Sequence, residues 1–457
     1  MKLSIVNFAK KRSREGNNMR YTPNSATVVR KMLQDIGLGS MAELYADIPD
    51  ALKLSRPLQL GDGLTEMSLR GHLKTMAARN ISVEDMPCFL GAGAYDHYIP
   101  AVLEQMLQRS EFYTAYTPYQ PEISQGILQS IFEYQSLICE LTGMEVANAS
   151  MYDGASALAE AGIIACSVTR KLRVIVSETI HPEYLQTMKT YAKSGHMEIV
   201  TAPAKDGVTD AEALLPLIDG QIAALVVQQP NFFGNLEEIG RLEQAVHAQK
   251  GMLIMAVDPI SLGILKSPAE WGVDIVAGEG QSLGNPLSFG GPYLGFMAVS
   301  EKNMRKMPGR IVGQSLDSDG KRSFVLTLQA REQHIRREKA NSNICSNEAL
   351  NALTASIYLT VIGPQGLRKI ALRSHQLALY ARDNLLKRGF KIKYDQPFFR
   401  EFIVSCPDPA AINEKLLQHG IIGGYELQDG LMLAFTEKRT QSEIDRLIAV
   451  LGGELHA

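Results

Sequence analysis

The 457-residue sequence predicts an α/β fold: a large, mainly parallel sheet domain, a small C-terminal α/β domain, and a helical N-terminal arm. Three observations predict it. Between about residues 150 and 300, short apolar runs alternate with helical segments, the mark of strands buried on both faces and covered by helices. After residue 366 a tighter alternation of helix and strand follows. Before residue 90, apolar positions recur at helical spacing.

In chain order, residues 1–18 carry Lys2, Lys10, Lys11, Arg12 and Arg14 against one acid, Glu15. They read as a leader without the apolar core of a secretion signal, with a mitochondrial-type presequence as the alternative and Met19 as a second candidate start. In the arm, 19–90, Ser25 can cap a helix that places Val28, Val29, Met32, Leu33 and Ile36 on one face and stops at Gly37. Ser40 with Glu43 reads as a capping box, and another helix is expected from Leu64 to Arg79. Such stripes need a neighbouring domain or subunit to bury them.

The large domain is taken as 91–345. Its expected helices are Ala155–Thr169, Glu183–Ser194 and Leu236–Gln249. Its expected strands are Leu172–Val176, Met197–Thr201, Ala223–Gln228, Met252–Val257, Asp274–Ala277 and Leu294–Val299. Residues 346–457 give a linking helix, Leu350–Ile362, ending at Gly363-Pro364, then helix 366–388, strands Phe390–Tyr394 and Arg400–Ser405, and helix Ala411–His419. Strands Ile421–Glu426 and Met432–Thr436 and helix Ser442–Leu451 close the chain.

Composition excludes several classes. A net charge of −3 gives no global attraction to nucleic acid or anionic membrane. No run of about 18 apolar residues is present to span a bilayer. The five cysteines, Cys88, Cys139, Cys166, Cys345 and Cys406, have no metal-ligand spacing and read as reduced cytoplasmic thiols. Gly91-Ala92-Gly93-Ala94 lacks the third glycine and the βαβ setting of a nucleotide fingerprint.

Asp153-Gly154-Ala155-Ser156 opens a helix, whose free amides can hold an anion. The plainer reading is an Asp N-cap. His181 follows a strand and is, alone, an ordinary loop histidine. Asp258 ends the strand Met252–Val257, at the sheet edge where ligands bind. The aromatic stretch from Tyr113 to Gly126 holds Pro118 and Pro121, which keep it out of a helix or central strand.

The most specific string runs Arg331-Glu332-Gln333-His334-Ile335-Arg336-Arg337-Glu338-Lys339-Ala340-Asn341-Ser342-Asn343-Ile344-Cys345. By composition it is a mixed-charge surface helix. Its literal order, with Met307-Pro308-Gly309-Arg310-Ile311-Val312-Gly313 upstream, resembles the P-protein of the glycine cleavage system, a pyridoxal-phosphate (PLP) glycine decarboxylase. The resemblance covers Met19 to the C-terminus and implies a fold-type I PLP-transferase-like large domain. It makes Asp153, Gly154, Ala155, Ser156, His181 and Asp258 a cofactor pocket. It also implies a Schiff-base lysine roughly two dozen residues after Asp258, where this chain has Gln281-Ser282. Lys266, Lys302 and Lys306 fall outside that slot.

The pocket is therefore expected to be vestigial, with no catalytic lysine, no metal and no cofactor bound by this chain. The resemblance then points to the alpha chain, subunit 1, of the two-chain form. The expected partners are a lysine-bearing beta subunit holding PLP, in an α2β2 assembly, glycine as substrate and the lipoyl-bearing H-protein. A pseudoenzyme scaffold for the beta chain and an autonomous enzyme of other chemistry are the alternatives. Tyr95, Tyr116, Tyr119 and Gln125 are the candidates for reaching the partner's active site, and plain interface packing is the competing reading of their loops.

Overall fold

The computed structural model describes residues 24–453 other than 115, 341, 343, 345 and 346, with the backbone alone of Arg331. The leader, Met19, Ala115, Asn341, Asn343 and Cys345 lie outside the described residues or side chains. The chain divides into two compact units, 1–80 and 81–457.

In the first unit, α1 (Ala26–Asp35) is capped by Ser25 and followed by Gly37 at φ +78°, a left-handed turn that ends the helix as its sequence predicts. Thr65 caps α2 (Glu66–Ala77). The expected capping box at Ser40 does not form. Glu43 does bond Ser40 Oγ at 3.0 Å and the Gly39 amide at 3.2 Å. Ser40 caps no amide, however, and Met41–Tyr45 is a 3-10 turn. Met32, Ile36, Leu69 and Leu73 are all exposed.

Residues 81–90, grouped with the arm by sequence, belong to the second unit. Phe89 is fully buried there, and its amide donates to Ile422 O at 2.9 Å.

The second unit is built on a seven-stranded sheet. Its strands are β1 (Val146–Ala147), β2 (Arg173–Ser177), β3 (Glu198–Ala202), β4 (Ile222–Gln229), β5 (Met252–Val257), β6 (Ile275–Glu279) and β7 (Gly295–Val299), in the order β1-β7-β6-β5-β4-β2-β3. Within it β7 alone runs against the others. The central strands are buried at nearly every residue, so both faces must be covered, which is why they read as apolar runs. Helix α3 is Ala101–Leu107 and α4 is Gln125–Thr142. Helix α5 (Gly154–Thr169) is apolar on all sides and buried along most of its length, which suits a helix laid on the sheet inside the domain. Helices α6 (Pro182–Ala192) and α7 (Ile239–Ala248) complete the crossovers. An antiparallel hairpin of β8 (Ile311–Leu316) and β9 (Arg322–Thr327), which the sequence pattern did not predict, precedes the basic string.

Helix α8 (Ala349–Lys387) is interrupted rather than ended at Gly363, where φ 62° and ψ 177° break the helix before Pro364. The C-terminal sheet, β10 (Glu401–Ser405), β11 (Tyr425–Leu427) and β12 (Gly430–Ala434), has the order β10-β12-β11 and is antiparallel throughout. Helices α9 (Pro409–Gln418) and α10 (Gln441–Gly452) accompany it. Two strand predictions fail here. Phe390–Tyr394 contributes only a single bridge, Ile392 to Val404, and of Ile421–Glu426 the first half pairs singly with Cys88. Apolar patterning alone does not supply a ladder partner. No helix among the described residues is long and apolar enough to cross a membrane.

Candidate functional site

The carboxyl ends of β2, β5 and β6 open on one side of the sheet, where parallel α/β proteins bind ligands. Two adjoining recesses lie there, sharing Gly93, Tyr184 and Glu279 in their walls. The outer one is lined by Asp153, Ala155 and His181, the inner one by Asp258 and Ser282. The structure thus gathers Asp153, Ala155 and His181 in one recess and places Asp258 in the adjoining one, while Gly154 and Ser156 line neither.

Their partners depart from a phosphate cradle. Asp153 caps α5 itself, its Oδ1 accepting the Ser156 amide at 2.8 Å, and Ser156 returns the box. The Gly154 amide donates to Glu279 Oε2 at 3.1 Å. Glu279 Oε1 takes the amides of Leu294 at 2.9 Å and Gln281 at 3.1 Å. Burial pushes this carboxyl up to about 7, with Asp153 adding in the same direction against those amide bonds. Glu348, also on the outer wall, is raised by burial and by Asp153.

His181 is fixed from both nitrogens. Its Nδ1 accepts the Glu183 amide at 3.2 Å, so its Nε2–H donates to Ala92 O at 2.9 Å. Burial lowers its pKa, favouring the neutral ring. The imidazole stacks on Tyr184, with ring centroids 5.0 Å apart.

Of the lysine-slot pair, Ser282 faces the inner recess and Gln281 turns away. Gln281 clamps the backbone of Tyr95, accepting its amide at 2.9 Å and donating to its carbonyl at 3.2 Å. The three nearest lysines are engaged elsewhere. Lys266 lies over Trp271, Lys302 pairs with Asp274 and Lys306 bonds Ser167.

Three charged groups of the inner recess escaped sequence reasoning: Glu279, Arg400 and Glu401. Arg400 is 1% exposed, with its Nη2 2.6 Å from Asp258 Oδ2 and its guanidinium 3.5 Å above the Tyr95 ring. Its Nη1 meets His97 Nε2, and His97 Nδ1 is 2.5 Å from Glu437. The Tyr95 hydroxyl donates to Glu401 Oε1 at 2.6 Å, and burial raises both pKa values. The available signal was a charged Arg400-Glu401 pair opening the apolar strand Phe402-Ile403-Val404.

Two of the candidates for a partner's site are committed within this chain. Tyr95 is buried against Arg400 and Glu401, and Gln125 holds β9, exchanging hydrogen bonds with the Phe324 backbone at 2.8 and 2.9 Å. Their polar groups are hydrogen-bonded within this chain. Tyr116 and Tyr119 remain outward, 81% and 48% exposed. Tyr119 accepts a 3.4 Å bond from Arg310 and sits edge-on to His334, centroids 5.6 Å apart. The aromatic loop therefore adjoins the basic string.

Comparison with known proteins fits this geometry. The family model described as glycine cleavage system P-protein matches residues 19–451. A probable glycine dehydrogenase (decarboxylating) subunit 1 from Syntrophomonas wolfei is 67% identical over 436 residues, covering 95% of this chain and all of that protein. One from Carboxydothermus hydrogenoformans is 55% identical, again over 95% of this chain and all of its own length. A crystal structure of glycine decarboxylase (P-protein) of the glycine cleavage system, in inhibitor-bound form, superposes with a TM-score of 0.89 at 41% identity. It covers 95% of this chain and 100% of its own. A NifS-like protein, at 14% identity and TM-score 0.62, covering 81% of this chain and 99% of its own, shares the fold alone.

Proposed function

The chain belongs to the glycine cleavage system P-protein family, and from that membership we propose that it serves as the alpha subunit of a two-chain glycine dehydrogenase (decarboxylating). In this reading it pairs with a lysine-bearing beta subunit as an α2β2 cytoplasmic assembly. The assembly decarboxylates glycine and passes the aminomethyl group to the lipoyl-bearing H-protein. The name subunit 1, carried by relatives matched end to end, implies the second chain.

The observation that carries the division of labour is the inner recess with Ser282 in the lysine slot and no lysine in its wall. A serine hydroxyl cannot form an imine. The residues present also do not fit PLP. Two amides of the first turn of α5, those of Gly154 and Ser156, are bonded to Glu279 and Asp153, so a phosphate there would meet two carboxyls. Asp258, the counterpart of a pyridine nitrogen, faces Arg400 instead. The cofactor therefore belongs with the partner, and this chain supplies structure and contacts to the partner's site. The exposed stripes of α1 and α2 suit a subunit interface.

The test is reconstitution. This chain alone is expected to give no glycine–bicarbonate exchange and no pyridoxyl-lysine after borohydride reduction, and the mixture with the lysine-bearing chain is expected to exchange. A stoichiometric pyridoxyl adduct on this chain, or full exchange by the partner alone, would overturn the reading.

A further inference from the structure

At the amino ends of β5 and β6, the edge of the sheet opposite the recesses, His247 is held by carboxylates on both ring nitrogens. Its Nδ1 lies 2.6 Å from Glu243 Oε1, one turn earlier on α7. Its Nε2 lies 2.8 Å from Oδ2 of Asp274, the residue that leads into β6. A neutral imidazole has one N–H and one lone pair. In this position it would turn that lone pair on a carboxylate oxygen at hydrogen-bond distance. With both carboxyls ionised, the two contacts are satisfied together only when each nitrogen carries a proton, which is the imidazolium.

Asp274 is where the elements meet. Its side chain is 10% exposed. Oδ2 also accepts the Leu253 amide of β5 at 3.0 Å, and Oδ1 is 3.1 Å from Lys302 Nζ on the 3-10 turn Glu301–Lys306. Glu243 packs over the left-handed turn at Gly272, φ +73°. The charged groups around the ring are thus Glu243 from its own helix and Asp274 from β6, with Lys302 behind Asp274. Two carboxylates, a lysine and a charged ring balance, whereas a neutral ring leaves one negative charge in excess. Burial alone would lower the pKa of the ring, but the bonds to Asp274 and Glu243 outweigh it and raise the pKa above the ordinary 6.5 of histidine.

We propose that His247 is a proton-operated clamp: protonated, it ties the end of α7 to the amino ends of β5 and β6, and on losing its proton it releases α7 from them. Since the folded-state pKa lies above the ordinary value, the contribution of the clamp is whole below 6.5 and is lost as pH rises through the folded value. This edge of the sheet is therefore braced in mildly acid solution and loosens in alkaline solution. None of these groups lines either recess, so the inference is independent of the subunit assignment.

Two measurements on the full chain test it. In a chain labelled with carbon-13 in its histidine rings, the NMR signal missing from His247→Gln or, equally, from His247→Asn belongs to His247. Its titration midpoint is expected above 6.5, and Glu243→Gln and Asp274→Asn are each expected to lower it. Hydrogen–deuterium exchange then reports the clamp through peptides spanning the end of α7 and the start of β5. Glutamine has one amide to offer, as the deprotonated ring has one N–H. At about two pH units below the midpoint, those peptides are expected to exchange about threefold faster in His247→Gln than in the parent, and at about two units above it the two should exchange alike. A midpoint at or below 6.5, a midpoint unmoved in both carboxyl variants, or equal exchange of parent and His247→Gln at the lower pH each overturns the proposal. So does a parent that stays slower than His247→Gln at the higher pH, since the clamp would then hold without its proton.

Discussion

Arg400 and Asp258 face each other across 2.6 Å in the inner recess at the carboxyl edge of the sheet. The pair joins the small domain to the large one, since Arg400 precedes β10 and Asp258 follows β5. Removing one partner leaves the other charge without compensation. Arg400→Met is therefore expected to cost about 3–5 kcal/mol of unfolding free energy, the usual penalty for breaking a buried pair. The double variant Arg400→Met/Asp258→Asn is expected to recover part of that loss. Urea unfolding of the four proteins gives the coupling. Additive losses would mean that the two groups do not share their stabilisation.

Glu279 makes stability depend on pH. Burial raises its folded-state pKa to about 7, above the ordinary 4.5 of a glutamate carboxyl. Between those values the folded state holds more protons than the unfolded state, so stability falls as pH rises through the window and is fully present below it. The loss is up to about 3 kcal/mol at 1.36 kcal/mol per unit. Glu279→Gln cannot ionise and is expected to flatten the profile between pH 5 and 8. Denaturant midpoints at several pH values measure it, and an unchanged slope in the variant would assign the pH dependence to other groups.

Tyr95→Phe isolates one hydrogen bond. The ring stays under the guanidinium, but Glu401 loses its 2.6 Å donor and keeps only the Ala92 amide at 3.1 Å. A buried carboxyl short of a partner costs about 1–3 kcal/mol. Thermal unfolding should show the loss most strongly at high pH, where Glu401 must ionise. A variant as stable as the parent at every pH would show that the Tyr95 hydroxyl contributes nothing net.

The parallel sheet was legible because each strand is buried on both faces, so its apolar run carries the information by itself. Asp153 and Asp258 were found as positions because helix starts and strand ends mark the ligand edge of such a sheet, whereas His181 and the Gln281-Ser282 slot were singled out by the family resemblance. Their pairings were not legible. Glu279 reaches Gly154 across 125 positions, and Arg400 reaches Asp258 across 142, contacts that depend on the folded register rather than on local pattern. Phe390–Tyr394 misled for the converse reason, having strand-like composition without a neighbour to complete a ladder. The contact of the Tyr95 ring with Arg400 was equally hidden, because the loop reads only as aromatic and glycine-rich.

Tyr116 and Tyr119 are directed outward, as is Tyr113 at the start of the loop, and Tyr119 is tied to Arg310 and His334 beside the basic string. A contact from these rings to the reacting region of the partner would act on turnover, whereas interface packing would act on assembly. Phenylalanine and alanine variants at both positions separate the two. If a hydroxyl contact matters, Tyr116→Phe or Tyr119→Phe is expected to lower glycine–bicarbonate exchange of the reconstituted complex by about 5- to 150-fold, the equivalent of ~1–3 kcal/mol, with the assembly intact by light scattering. Full exchange in an intact phenylalanine complex would exclude the hydroxyls, leaving the rings to the alanine pair. Dissociation of the alanine complex, with normal exchange at concentrations that restore it, would assign the loop to packing.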